Sequence, residues 1–133
     1  MSSFNRIYVS ENLDNKLRLL KARTGLRPNL IIRLGFVLSL EEDGIPDGSL
    51  YGEEQAREFN RFTLTGAYDL HFMALLKERL VEDRLDPDRD LEAQFKAHIA
   101  RGVHLLAQRI RSLEDIGHLI ENAQKKAQLR AVE

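Results

Sequence analysis

Cysteine is absent from the 133-residue chain. Without thiols the protein has no disulfide framework, no Cys-ligated zinc and no thiol nucleophile. The absence fits a reducing compartment, and we expect a cytoplasmic protein. The N-terminus MSSFNRIYVSENL shows no basic start followed by an apolar stretch. No apolar run reaches the roughly 18–20 residues that cross a bilayer, so the sequence predicts neither a signal peptide nor a membrane partner.

The usual signatures of catalysis and cofactor binding are missing as well. The chain contains no GxSxG, P-loop or GxGxxG sequence. His98 and His104 are six residues apart and lack the HExxH spacing that places two metal ligands on one helix face. The run DPDRD at 86–90 begins like a calcium loop, but Leu91 and Ala97 stand where that loop needs glycine and glutamate. We expect solvated or core-edge histidines, helix-capping aspartates, no metal, no cofactor and no catalytic residue.

Charge is distributed unevenly, although the net charge is only −1. Residues 1–40 carry seven Lys and Arg against two acids, a net charge of +5, whereas residues 41–58 carry seven acids and one Arg, a net charge of −6. A phosphate backbone responds to such a local field more than to the average. The N-terminal segment is therefore a candidate nucleic-acid-binding region. The alternative is a basic element that only neutralises the acidic loop.

The first 41 residues predict a strand followed by two helices. FNRIYV at 4–9 alternates and is rich in β-forming residues. Ser10 caps a helix over 11–23, and Gly25 ends it in a left-handed turn. Pro28 opens a second helix over 28–41. This order is typical of the ribbon-helix-helix fold, in which two chains pair their strands and interlock their second helices.

The second helix is apolar around almost its whole circumference, interrupted only by Arg33, Gly35 and Ser39. A helix that is apolar all round is buried all round, and a small domain has little material with which to enclose it. We therefore expect a homo-oligomer in which this helix forms the subunit interface. The predicted interface residues are Ile31, Ile32, Leu34, Phe36, Val37 and Leu38.

The remainder of the chain predicts a long loop and further helices. The acidic segment 43–65 is interpreted as a loop with a helical turn at 53–59 and an extended piece at 61–64. The helical part, 66–120, contains helices over 67–84, with Leu70 on its core face, and over 87–111. Ser112 opens a short helix over 113–122, and 121–133 forms a frayed tail. The expected fold is mostly α: a short N-terminal strand, a ribbon-helix-helix-like helix pair and two to three further helices in one compact domain over 1–133.

Three stretches are more specific than this pattern. LRLLKARTGLRPNLIIRLGFVLSLEEDGIPD, EFNRFTLTGAYDLHFMALLKERL and AHIARGVHLLAQRI together resemble the DndE family of DNA sulfur modification proteins, over residues 4–120. The resemblance implies a small, helical, non-enzymatic partner in bacterial DNA phosphorothioation, in which sulfur replaces a backbone oxygen. It implies tetramers that bind double-stranded DNA with a preference for nicked duplex. The implied protein partners are a cysteine desulfurase, an iron–sulfur protein and an ATPase.

The resemblance and the charge distribution indicate the same basic segment. The N-terminus of the second helix, near Arg27 and Asn29, would offer a phosphate free N–H groups and the positive end of the helix dipole. The residues predicted to contact DNA are Arg6, Lys16, Arg18, Lys21, Arg23 and Arg27.

Two other functions stay open at this point. One is a nicking or sulfur-transfer enzyme that uses Tyr8, Tyr51 or Tyr68 as nucleophile, or a metal held by the acids at 41–43. The other is a ribbon-helix-helix transcription regulator, in which Arg6 and Tyr8 enter the major groove of an operator.

Overall fold

The N-terminal strand and the first two helices lie where the sequence predicts them. The computed structural model describes residues 4–132. Its first three elements are β1 (Arg6–Val9), α1 (Glu11–Thr24) and α2 (Pro28–Glu41). The hydroxyl of Ser10 accepts a hydrogen bond from the backbone N–H of Leu13 and so caps α1. At the other end, Gly25 takes a φ of 77°, and its N–H donates to the carbonyl of Lys21.

A two-stranded sheet forms within the chain. β2 (Arg57–Asn60) runs antiparallel to β1, with Ile7 opposite Phe59. Ile7 and Val9 are fully buried, because alternate residues of β1 face the core. In a ribbon-helix-helix dimer the N-terminal strand pairs with the strand of the partner chain, whereas here one edge of β1 is already paired in the same chain.

The prediction for the second half of the acidic loop is wrong. The segment 53–59 is not a helical turn, since residues 53–56 are irregular and β2 begins at Arg57. The segment 61–64 is not extended, since α3 (Arg61–Thr65) lies there. The side-chain oxygen of Asn60 accepts hydrogen bonds from the N–H groups of Phe62 and Thr63. This cap starts a helix directly after the strand. Two short 3-10 turns flank these elements, Gly48–Leu50 and Gly66–Tyr68.

The core is built around the contact between α2 and α5 (Leu91–Arg109). The two helices meet at glycines, because a Cβ added to Gly102 would lie only 1.7 Å from the carbonyl oxygen of Gly35. Next to this point the rings of Phe36 and Phe95 pack with their centroids 5.4 Å apart. α5 therefore covers the face of α2 for which the sequence suggested a partner subunit. The premise that one copy cannot enclose this helix is wrong.

The two helices of the second half are shorter than predicted over 67–84 and 87–111. α4 spans Asp69–Glu82, and its predicted core residue Leu70 is 79% exposed. Asp86 does not begin α5, because its carboxylate accepts hydrogen bonds from the N–H groups of Asp88 and Arg89 in a separate turn. α5 begins after this turn. The side chains of α4 that do face the core are Met73, Leu76 and Leu80.

The last helix is longer than predicted. α6 (Leu113–Val132) continues through the segment 121–133 that the sequence indicates as a frayed tail, of which residue 133 lies outside the described residues. Its start is as predicted, since the carboxylate of Asp115 accepts from the N–H of Ser112 at 3.2 Å. Ile116 is buried, whereas the described side chains from Ile120 onward are exposed. Within residues 4–132 no helix has the length and apolar content needed to cross a membrane.

Candidate nucleic-acid interface

The end of α1, the start of α2, the end of α5 and the start of α6 lie together at one end of the protein. Arg23 connects them, because its Nη1 donates to the carbonyl oxygens of Ala107 at 3.1 Å and Ile110 at 3.2 Å. Three exposed basic side chains belong to the segments that meet at this end. We name this set the cationic end: Lys21, Arg27 and Arg111. None of the three forms an ion pair with another of the residues 4–132.

Arg23, which the sequence predicts as a DNA contact, makes its hydrogen bonds inside the protein. Its side chain is half-buried, and its two acceptors are carbonyls at the end of α5. Carbonyls in the last turn of a helix lack helical partners and carry the negative end of the dipole, so a guanidinium is a suitable cap. Arg23 therefore positions the cationic end. The acceptors are more than 80 residues away in sequence, so no local sequence pattern predicts this contact.

The three remaining predicted cations lie on β1 and in the middle of α1. The Nε of Arg6 is 3.2 Å from the carboxylate of Glu58, and the Nε of Arg18 is 3.1 Å from that of Asp14. Lys16 donates to a side-chain amide one turn earlier on the same helix. The pair of Arg6 with Glu58 is exposed, and such pairs contribute only about 0–1 kcal/mol. Asp14 is buried and is also paired with Arg57 at 3.2 Å. These side chains can exchange a carboxylate for a phosphate, but the acids beside them weaken the local positive field.

The N-terminus of α2 opens onto the cationic end. Arg27 is the residue before the helix, Pro28 is at its start, and no side chain caps it among the described residues. The N–H groups of Leu30 and Ile31 both donate to the carbonyl of Arg27 in the first turn. These two N–H groups are therefore already bonded, and Pro28 has none, so the predicted free N–H groups are not found at these residues. The positive end of the helix dipole still adds to the charges of Lys21 and Arg27, a combination that favours an anionic oxygen.

The residues of the enzyme alternative do not converge on one site. Tyr51 is buried, its hydroxyl donates to the carbonyl of Tyr8, and burial raises its pKa, which disfavours the phenolate. Tyr8 is half-buried beside the turn that contains Tyr51, whereas Tyr68 is exposed on another segment. Within the described part of the chain, no group of three or more His, Asp or Glu side chains is placed to hold a metal ion.

The predicted interface residues divide into two groups. Ile31, Ile32 and Phe36 are 1–2% exposed in the single chain, so they belong to the core of one protomer and cannot meet a partner. Leu34 is half-buried, and Val37 is 42% exposed. Leu38 is 7% exposed and lies at the bottom of this edge, so Leu34 and Val37 are the predicted interface residues that a second molecule can reach. The helical-wheel pattern of α2 correctly predicts that this helix is buried. It does not distinguish packing against α5 from packing against another subunit.

A groove lies along this edge of α2. It has a volume of about 460 Å³ and separates α2 from α6. Its apolar lining comes from Leu34, Val37, Leu38, Ile110, Leu119, Ile120 and Ala123. Acidic and basic side chains stand at its margins, with Glu42 paired to Arg109 at 3.3 Å.

A buried polar network lies at the C-terminal end of α2. The Nδ1 of His98 is 2.8 Å from the hydroxyl of Ser39, which also accepts from the Nε of Arg101 at 2.8 Å. Both Ser39 and His98 are fully buried. The expectation of a solvated or core-edge His98 is therefore wrong. A Ser–His pair resembles a nucleophile with its base, but no substrate can reach this one, and the pair joins α2 to α5.

This network predicts acid sensitivity. Burial, together with the neighbouring charges of Arg101 and Arg79, lowers the pKa of His98 from 6.5 to about 3. Between these values the unfolded chain binds one proton more than the folded protein, so stability falls as the pH falls. The contribution is at most about 1.4 kcal/mol per pH unit. We expect wild-type protein to lose stability between pH 6.5 and 5 in denaturant titrations, and a His98→Leu variant to lose less.

The exposed His71 supplies the control for this titration. A His71→Gln variant should keep the wild-type slope of unfolding free energy against pH. An identical slope for His98→Leu and wild type would show that His98 does not carry the effect.

The molecule is thus a small, mostly helical domain with an N-terminal two-stranded sheet and a cationic end. A family model for the DNA sulphur modification protein DndE matches residues 6–114. The chain belongs to the DndE family, which confirms the resemblance seen in the sequence and supports a role in DNA sulfur modification. Most of α6 lies beyond the matched residues.

The fold is similar to that of a solved protein. The crystal structure of DndE from Escherichia coli B7A, involved in DNA phosphorothioation modification, superposes with a TM-score of 0.64 at 23% sequence identity. The match covers 80% of this chain and 99% of that one. The expected mostly helical fold is confirmed. No curated protein matches the chain significantly.

Proposed function

We propose that this protein is a DNA-binding, homo-oligomeric and non-enzymatic subunit of the bacterial DNA phosphorothioation machinery, and that it binds duplex DNA with a preference for nicked DNA. The match to the DndE family over residues 6–114 carries the proposal. The cationic end and the open N-terminus of α2 support it. The chain has no cysteine, so thiol-based sulfur transfer belongs to its partners, a cysteine desulfurase and an iron–sulfur protein, working with an ATPase in the cytoplasm.

The cationic end supplies the phosphate contacts. Three flexible cations and a helix N-terminus neutralise about three or four phosphates per copy, which releases condensed counterions and makes binding depend on salt. One copy holds DNA weakly, but several copies in an oligomer bind cooperatively along the backbone through avidity. No side chain of this set needs to read a base, so binding is similar for all sequences.

A nick changes the mechanical cost of binding. Several cationic ends held at fixed distances in an oligomer meet a duplex best when the duplex bends toward them. A broken strand bends at lower cost than intact duplex, and the difference appears as affinity. The preference for nicked DNA therefore needs the oligomer as well as the charges.

The test is charge reversal at two residues of the cationic end. A Lys21→Glu/Arg27→Glu variant should bind nicked and intact duplex about tenfold or more weakly, and the slope of log affinity against log salt should fall by about two per copy bound. Fluorescence anisotropy with labelled duplex measures both quantities. Both side chains are exposed, so the fold should be unaffected.

The matched control is Lys77→Glu/Arg89→Glu, which changes the net charge equally. Arg89 precedes α5, whereas the cationic end lies beyond its last residue, at a distance of about 28 Å along this helix. The control should bind like wild type. Equal losses in both variants would show that only net charge matters, and unchanged affinity in the Lys21/Arg27 variant would refute this interface.

A further inference from the structure

The charges of α6 are segregated along its length. Its first half, 113–122, carries three acids and no Lys or Arg, and its second half, 123–132, carries Lys125, Lys126 and Arg130 and no acid. The pattern suits the dipole of a single helix. However, the described side chains of the second half are exposed, and Ala123 and Lys126 lie on the open wall of the groove. Such a helix gains little stability from its own protomer.

The groove beside α6 has the complementary character. Its floor is apolar, and Val37 and Ile120 are 42% and 47% exposed within it. Glu41, Glu42 and Asp115 stand on its margins. Basic side chains line the groove as well: Arg109, which is paired with Glu42, and Lys126 from the second half of the resident α6. The exposed apolar surface with Glu41 and Asp115 beside it fits an amphipathic helix that carries basic residues.

We infer that the second half of α6 from a second copy of this chain docks in this groove, antiparallel to the resident α6, so that two copies exchange identical contacts about a two-fold axis. The inference deepens the homo-oligomer of the proposed function and rests on it in that respect. The acidic half of each α6 then faces the basic half of the other. The same two-fold rotation places the basic half of the partner's α6 beside the acidic residues of the groove.

An antiparallel second copy sets opposite charges beside each other along α6. A parallel arrangement would set acids against acids and bases against bases, which is unfavourable. In the antiparallel arrangement residues 115 and 130 face each other, as do 119 and 126, with the small Ala123 near the two-fold axis. This places the aliphatic stem of Lys126 over Leu119. A closed two-fold dimer also covers both copies of the groove.

The test uses two charge-swapped full-length variants. The base-swapped variant is Lys125→Glu/Lys126→Glu/Arg130→Glu, and the acid-swapped variant is Glu41→Lys/Glu114→Lys/Glu121→Lys. All six side chains are exposed, and Asp115 and Glu42 are kept because they cap α6 and pair with Arg109. Sedimentation velocity without DNA measures the mass of each variant, of wild type and of an equimolar mixture. Lys77→Glu/Arg84→Glu/Arg89→Glu is the control of equal charge change.

We expect wild type and the control to associate, each swapped variant alone to lose this association by at least about tenfold in dissociation constant, and the mixture to regain it. Recovery in the mixture also shows that the variants remain folded. A wild-type chain that is a single copy at micromolar concentration would overturn the inference, as would an oligomer whose mass is the same in both swapped variants. If DNA binding by wild type fails while the mixture recovers, the proposed DNA function falls and this interface stands.

Discussion

A Gly102→Ala variant is expected to lose about 3 kcal/mol or more of unfolding free energy, enough to unfold a marginal domain. The added Cβ would lie 1.7 Å from the carbonyl oxygen of Gly35 and 2.1 Å from its carbonyl carbon. These are backbone atoms in the middle of a helix, so no side chain can rotate away. α2 and α5 must separate, and the packing of Phe36 against Phe95 must loosen with them. The gain of about 1 kcal/mol from alanine in a helix is too small to compensate.

Gly117 provides the matched control for this experiment. It lies in α6, and a Cβ added there would meet nothing within 4 Å. Gly117→Ala should therefore be neutral or stabilising by up to about 1 kcal/mol. Urea titrations of both variants and wild type give the comparison through their midpoints. Equal midpoints for Gly102→Ala and wild type would show that the two helices do not approach as closely as described.

The contact between Gly35 and Gly102 is a feature of the fold that the sequence pattern does not predict. The hydrophobic pattern of 28–41 correctly predicts a buried helix, and Ser10, Gly25 and Pro28 correctly predict where the first helices begin and end. The pattern contains no information about what covers the helix. Its partner is α5, about 65 residues later, and the close approach depends on one glycine in each helix. A helical wheel treats Gly35 only as an interruption.

The candidate site could be predicted only in part, because the sequence shows where basic residues occur but not which distant groups they contact. A run of basic residues before an apolar helix is visible in sequence, and Lys21 and Arg27 are indeed exposed. Whether a given arginine is free depends on acceptors elsewhere in the chain, as the contacts of Arg23 with the end of α5 demonstrate. Arg111 was missed because it is remote in sequence and joins the cationic end only through the fold. β2 was missed because four residues give too short an alternation to be distinguished from a loop.

The other large loss of stability is expected on substitution of Arg79, whose guanidinium links α4 to the end of α2 through hydrogen bonds. The side chain is about 9% exposed and donates to the carbonyl oxygens of Leu40 and Glu42, both at 2.8 Å, and of Gly44 at 2.5 Å. It also pairs with Asp83 at 3.0 Å. Arg79→Met keeps the aliphatic stem but removes this donor from the carbonyl of Leu40 and from the carboxylate of Asp83. The carbonyls of Glu42 and Gly44 then keep only their bonds from Arg101, at 3.4 and 3.0 Å. We expect a loss of about 3–5 kcal/mol in unfolding free energy, the usual result of removing one partner from a buried ionic cluster.

Two further variants separate this cluster from general charge effects. Arg89→Met removes an arginine whose side chain is 78% exposed and should change stability by less than about 0.5 kcal/mol. Arg79→Lys keeps the charge but lacks the planar fork that reaches several carbonyls at once, so it should fall between Arg79→Met and wild type. Thermal and urea unfolding of the three variants give the order. If Arg79→Met were as stable as Arg89→Met, the hydrogen bonds from Arg101 to Glu42 and Gly44 would be enough to hold the end of α2, and Arg79 would not fix the segment that follows it.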